Sequence, residues 1–173
     1  DLLKKSSPSR IIFVSSLVAF LTNLTIENLN QHPKPKFYFF SPLLHYGNSK
    51  LMNAITANIL GKKMRGTGVT TYSLHPGVVN TAIYRVFCEK NKFDVLKMCL
   101  YYFLLPVYGK TVWEGAQTQI NCALSKEIEN VTGKYYLDCI EFLPPWTPFS
   151  EDYRMELWRE TERLVRLEEA EKI

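Results

Sequence analysis

Residues 10–15 read "RIIFVS", an unbroken run of β-branched and aromatic side chains between Arg10 and Ser15. A run without polar alternation predicts a strand covered on both faces in a parallel sheet. Ser16 then stands at the strand's carboxyl end. Residues 17–42 lack a helical period and contain "HPKPK", which predicts a long loop of the kind that walls a site. From about Leu44 to Arg65, Leu51, Met52, Ile55, Ile59 and Leu60 recur at three and four, predicting an amphipathic helix stopped by Gly66 and Gly68. "VTTYSL" predicts a second strand, and the "HPG" that follows takes the chain out of the sheet, since Pro76 cannot extend a ladder and Gly77 permits a tight turn.

Further along, Thr111 and Glu114 carry a capping-box signal for a helix whose expected buried stripe is Ala116, Ile120 and Leu124. "GKYYLD" predicts a short strand. Trp113 and Tyr135 are assigned to the core. A last, highly charged helix from near Ser150 is expected to bury Trp158, Leu164 and Val165. Strands alternating with helices are the pattern of α/β proteins.

At 173 residues and 46% hydrophobic, the chain suffices for one ordinary domain with its own core. The 21 basic and 17 acidic residues leave a formal charge of +4, spread rather than blocked, and no basic stripe with interleaved aromatics argues for nucleic acid. Cys88, Cys99, Cys122 and Cys139 form no C-x-x-C pair, which fits free thiols in a reducing compartment. Cys122 reads as a small buried hydrophobe. The sequons at Asn23 and Asn130 are read as incidental, in the absence of a secretory signal in the sequence. The opening "DLLKKSSPSR" reads as a helix tail running into a buried strand, so the chain is expected to start inside a domain.

The sequence contains no G-x-S-x-G elbow, P-loop or G-x-G-x-x-G, and His32, His45 and His75 are too scattered to predict a metal site. What remains is a hydroxyl at one strand end, Tyr46 and Lys50 four apart on the next helix, and a Pro-Gly turn at the following strand end. Residues four apart share a helix face. In open parallel sheets, ligands bind outside the carboxyl ends of strands, where all three elements converge. Tyrosine ionises near pH ~10 on its own, but an adjacent ammonium stabilises the phenolate and lowers that value. Ser16 is then suited to hydrogen-bond a substrate oxygen while Tyr46 moves the proton, leaving hydride transfer to a cofactor.

"FVSSL", "YGNSK" and "LHPGVVNT", in that order, resemble the catalytic half of the short-chain dehydrogenases/reductases. "KTVWEGAQTQINCAL" and "VTGKYYLDC" resemble the retinol dehydrogenase-like branch, and the likeness runs from residue 1 to about 140. It implies an α/β fold, a partial Rossmann-type doubly wound parallel sheet, with residues 1–173 as the carboxyl-terminal catalytic part of one domain. It implies Ser16 as the substrate-orienting serine, Tyr46 as general acid/base, and Lys50 as the residue that tunes the tyrosine and holds the nicotinamide ribose. Pro76, Gly77, Val79 and Thr81 are implied to line the nicotinamide side beside Tyr46 and Lys50. NADP is the implied cofactor, with NAD as the alternative, and a lipophilic retinoid-like or steroid-like alcohol or carbonyl is the implied substrate.

The resemblance sets the family's glycine-rich turn, adenine-ribose residues and active-site asparagine upstream of Asp1. It also makes "HPKPKFYFF" extra material between Ser16 and Tyr46. The segment "MCLYYFLLPVY", residues 98–108, is too short to span a bilayer and is expected either to touch a membrane peripherally or to cover a lipophilic site. The implied location is intracellular, at the endoplasmic reticulum or another membrane surface facing the cytosol. By themselves, the 173 residues are expected to be inactive and prone to associate through an open sheet edge. The rival expectation is a non-catalytic remnant or splice product acting as a protein-binding module.

Overall fold

The structure, a computed structural model, describes residues 2–31, 41–81 and 109–171. A short helix α1 (Leu2–Lys5) leads into β1 (Ser9–Val14), followed by a 3-10 helix at Leu17–Phe20 and the long helix α2 (Ser41–Lys63). Then come β2 (Val69–His75), α3 (Val112–Leu124), β3 (Lys134–Leu137), β4 (Ile140–Glu141), α4 (Glu151–Leu164) and a final 3-10 turn at Glu169–Glu171. The strands lie in the order β1-β2-β3-β4. β1 pairs parallel with β2 (Ile11 opposite Thr71), β2 parallel with β3 (Ser73 opposite Tyr135), and only β4 runs antiparallel. This is the α/β class expected from the sequence.

Helices cover both faces because side chains alternate along each strand. Tyr135 joins Leu51, Ala54, Ile55 and Ile59 of α2 in one buried cluster, completed by Ala19, Leu24, Trp146 and Leu157. Tyr136, the next residue, points the other way and packs with Tyr72, Leu74 and Cys122 under α3. Arg10 closes the carboxyl end of α3, donating from its guanidinium to the Cys122 and Ser125 carbonyls at 3.0 and 2.7 Å. A cation at that end also complements the helix dipole.

Several details depart from expectation. β2, not β1, is the fully enclosed strand: β1 has a partner on one side only among the described residues, and Val14 is exposed. The 17–42 stretch carries the 3-10 helix, and α2 starts at Ser41 rather than near Leu44, with Pro42 in its first turn where a missing N–H costs nothing. The buried stripe of α3 is Gly115, Thr118 and Cys122. Small residues there let the helix lie close on the sheet, which turns Ile120, Leu124 and Trp113 (73% exposed) outward. On α4, Leu157 is the buried anchor, Trp158 and Leu164 are half-buried, and Val165 is exposed, because the helix has already ended at Leu164. The capping box at Thr111 and Glu114 forms as expected, with Thr111 Oγ1 accepting from the Glu114 amide at 3.2 Å. Residues 98–108, the expected membrane or lid segment, lie outside the described residues, as do His32, Cys88 and Cys99.

Candidate active site

The carboxyl end of β1 meets the amino-terminal half of α2. The helix comes close because Gly47 has no side chain: a Cβ there would stand 2.4 Å from the Leu21 carbonyl oxygen and 2.8 Å from that of Val18. Asn48, buried beside it, latches the loop, accepting from the Thr22 hydroxyl at 2.7 Å and the Asn23 amide at 3.2 Å and donating to Asn23 Oδ1 at 2.9 Å. Ser15 ties strand to helix from below, its hydroxyl donating to the Lys50 carbonyl at 2.6 Å.

This scaffold sets out three of the expected residues. Ser16 is buried and caps the 3-10 helix, its Oγ accepting from the Val18 amide at 3.2 Å. Tyr46, 46% exposed, stands next to the Gly47 contact. Lys50 reaches back along the same helix face, with its ammonium 5.5 Å from the centre of the Tyr46 ring. The same ammonium donates to the Val14 carbonyl at 3.1 Å, an acceptor shared with Asn53. The lysine is therefore held between the strand end and the phenol.

The second strand end supplies the other group. His75 is buried, and the chain turns at Pro76 and Gly77, where Gly77 has φ +91, a region costly for any residue with a Cβ. Val79 forms a one-residue parallel bridge with Lys110. Thr81 is half-buried. Desolvation holds the His75 imidazole below its ordinary 6.5, the Lys110 ammonium lowers it further, and Asp138 opposes them. Its Nδ1 has no hydrogen-bond partner among the described residues. Ser16, Tyr46 and Lys50 thus share one strand-helix junction, while Pro76, Gly77, Val79 and Thr81 lie at the exit of the adjacent strand.

Sequence reasoning passed over Gly47, Asn48 and Ser15, which position that junction. Gly47 sits inside "YGNSK", where an interior helix glycine, unfavourable by propensity, was the available signal for a close backbone approach. A cavity of about 290 Å³ lies beside the helix face of His45, Asn48, Ser49 and Met52, closed by Leu24 and Leu29.

No family model matches the chain. Retinol dehydrogenase 12 of Bos taurus is 36% identical over 137 residues, 79% of this chain and 39% of that protein. Retinol dehydrogenase 14 of Homo sapiens is 34% identical over 168 residues, 96% of this chain and 47% of that protein. The chain is a relative of the retinol dehydrogenases. The WW domain-containing oxidoreductase of Gallus gallus is also similar, 30% identical over 96% of this chain and 39% of its own length. The chain thus spans less than half the length of these relatives. A crystal structure of an uncharacterised protein from Mycobacterium paratuberculosis matches 91% of this chain and 50% of its own with a TM-score of 0.54. At 16% identity, that likeness is one of fold. The match to retinol dehydrogenase 14 covers nearly the whole chain and so takes in both strand exits of the candidate site.

Proposed function

We propose that the protein carrying this chain is an oxidoreductase that interconverts a lipophilic alcohol and its carbonyl with NADP(H). The observation that carries the reading is the Lys50 ammonium, anchored to the Val14 carbonyl and 5.5 Å from the Tyr46 ring at the carboxyl end of a parallel strand. Tyr46 is the general acid/base, with the Lys50 ammonium beside its ring. Ser16 orients the substrate oxygen. Lys50 serves twice, toward the phenol and toward the nicotinamide ribose. NADP(H), when bound, supplies or accepts the hydride.

The residues present suit the nicotinamide end of such a cofactor. Lys50 spends one donor on Val14 among the described residues and so has others for ribose hydroxyls. Pro76, Gly77, Val79 and Thr81 form the wall at the exit of the neighbouring strand, next to His75, whose Nδ1 has no partner among the described residues. A glycine-rich pyrophosphate turn is not found in this sequence, so the 173 residues alone are proposed to bind NADPH poorly and to form one catalytic part of a single domain. The preference for NADP over NAD rests on the family resemblance, and that for a retinol-like substrate on the same resemblance and on the names of the relatives. An intracellular site at the endoplasmic reticulum or another membrane rests on the same resemblance; no described helix is long and apolar enough to cross a bilayer.

The alternative reading is a non-catalytic protein-binding piece. One assay separates the two. The protein is given NADPH or NADH and a retinal-like aldehyde, and nucleotide oxidation is followed at the same time as alcohol formed. Matched consumption and formation is the expected result, greater with NADPH. Neither nucleotide being consumed overturns the oxidoreductase reading.

A further inference from the structure

The turn that leaves β2 is held from outside the sheet by one residue. The Lys110 amide donates to the Val78 carbonyl at 2.8 Å, and the Asn80 amide donates to the Lys110 carbonyl at 2.9 Å. The aliphatic end of the Lys110 side chain fills the space over Gly77, where a Cβ would fall 2.6 Å from Cδ and 2.9 Å from Cε. Its ammonium pairs with Asp138, at the exit of β3. Asp138 is itself fixed in left-handed backbone, φ +51, in the tight turn between β3 and β4. Through Lys110, the exits of two adjacent strands are tied together directly beneath the turn.

An ion pair this exposed, with 29% of the Lys110 and 59% of the Asp138 side chain open to solvent, adds little to global stability. What the pair can do is fix a geometry. Among the described residues the ammonium's ion-pair partner is Asp138, with the Glu114 carboxylate also in electrostatic reach, and that pairing draws the side chain across Gly77. The pair borders a cavity of about 240 Å³ that Thr118 also lines, and the buried Thr118 hydroxyl has no partner among the described residues.

We propose that Lys110, paired with Asp138, is a positioning residue that holds the Pro76–Asn80 turn in the conformation presented to the nicotinamide; this rests on the oxidoreductase reading above. Two readouts test it, on the variants Lys110→Met, Asp138→Asn and Lys110→Arg. In the 173-residue chain, amide exchange at Asn80 and at residue 110 should quicken about fivefold in the first two variants, the upper end for an exposed pair, and return toward the parent rate in Lys110→Arg. Amides within Val69–His75 should not change. In the protein carrying the chain, the KM for NADPH should rise by about the same factor, with kcat within about twofold of the parent. Asp138→Asn leaves every backbone contact of Lys110 in place and decides the matter if Lys110→Met does not fold. Unchanged exchange at both amides overturns the proposal, and so does quickened exchange with an unchanged KM. A parent protein with no NADPH turnover sinks the oxidoreductase reading and the cofactor role with it, whereas exchange still reports whether Lys110 holds the turn.

Discussion

On the face of the sheet covered by α2, nine buried residues from five parts of the chain form one cluster, whereas under α3 the buried cluster is Tyr72, Leu74, Cys122 and Tyr136. The helix that carries Tyr46 and Lys50 therefore sits on the apolar, densely packed side. The turn at Pro76 and Gly77 is held by a backbone bridge and a half-exposed ion pair on the other side. Apolar packing fixes Tyr46 and Lys50 against displacement, and polar contacts hold the Pro76–Gly77 turn with less energy. On the proposed function, that division suits a site that grips a proton carrier firmly while admitting and releasing a cofactor.

The contrast can be broken most severely at Leu51. Both Leu51 and Ile55 are fully buried, and truncating either to alanine should cost about 2–5 kcal/mol, read as a lower denaturant midpoint. Cys122→Ala, the matching truncation under α3, should cost about 1 kcal/mol. Equal losses on the two faces would erase the distinction.

Next in size is a pair of glycines. Gly47→Ala drives a methyl into the backbone carbonyls of Leu21 and Val18, which cannot move without shifting the Ser16 loop, and should cost about 1–3 kcal/mol. Gly115→Ala meets Val79 Cγ2 at 2.4 Å, a side-chain contact with room to adjust, so its cost should be the smaller of the two by thermal melting.

A finer effect comes from His75. Its folded value lies below the ordinary 6.5, so between the two the unfolded chain binds more protons, and stability should fall as the pH drops below about 6.5. His75→Asn should flatten that limb of the stability profile. Removing the Lys110 charge should lift the His75 titration, read by NMR, because that ammonium is one of the groups holding it down. Smallest in energy is a chemical contrast: burial pushes the Cys122 thiol up to about 12, so iodoacetamide at neutral pH should label the exposed Cys139 and leave Cys122 intact, as mass mapping would show.

β1, β2, the start of α3 and the end of α2 were readable because they depend on local signals: the β-branched runs, the Thr111 capping box and the glycines after α2; the start of α2 and strand β4 were not. Which face of a helix is buried was less readable. The stripe Ala116, Ile120 and Leu124 follows hydrophobicity, but close helix-sheet contact selected the small residues Gly115, Thr118 and Cys122 instead. Val165 was misplaced for a different reason, since it caps α4 and no longer shares its face. Within the candidate site, Tyr46, Lys50 and Ser16 were singled out through residue type and spacing, and the structure brings them to one junction. Gly47, Asn48 and Lys110 act through contacts with segments 25 to 33 residues away along the chain, and no local pattern encodes those partners.

The central claim is that one junction separates two duties, proton transfer by Tyr46 and cofactor retention by Lys50. Turnover and NADPH affinity measured together on the parent, Tyr46→Phe and Lys50→Ala proteins test it directly. Tyr46→Phe should lower kcat by roughly 100-fold to 10,000-fold, with NADPH affinity nearly unchanged, while Lys50→Ala should damage both. A Tyr46→Phe protein that keeps more than about half of the parent turnover would contradict the account, because a general acid/base group cannot be removed at so little cost.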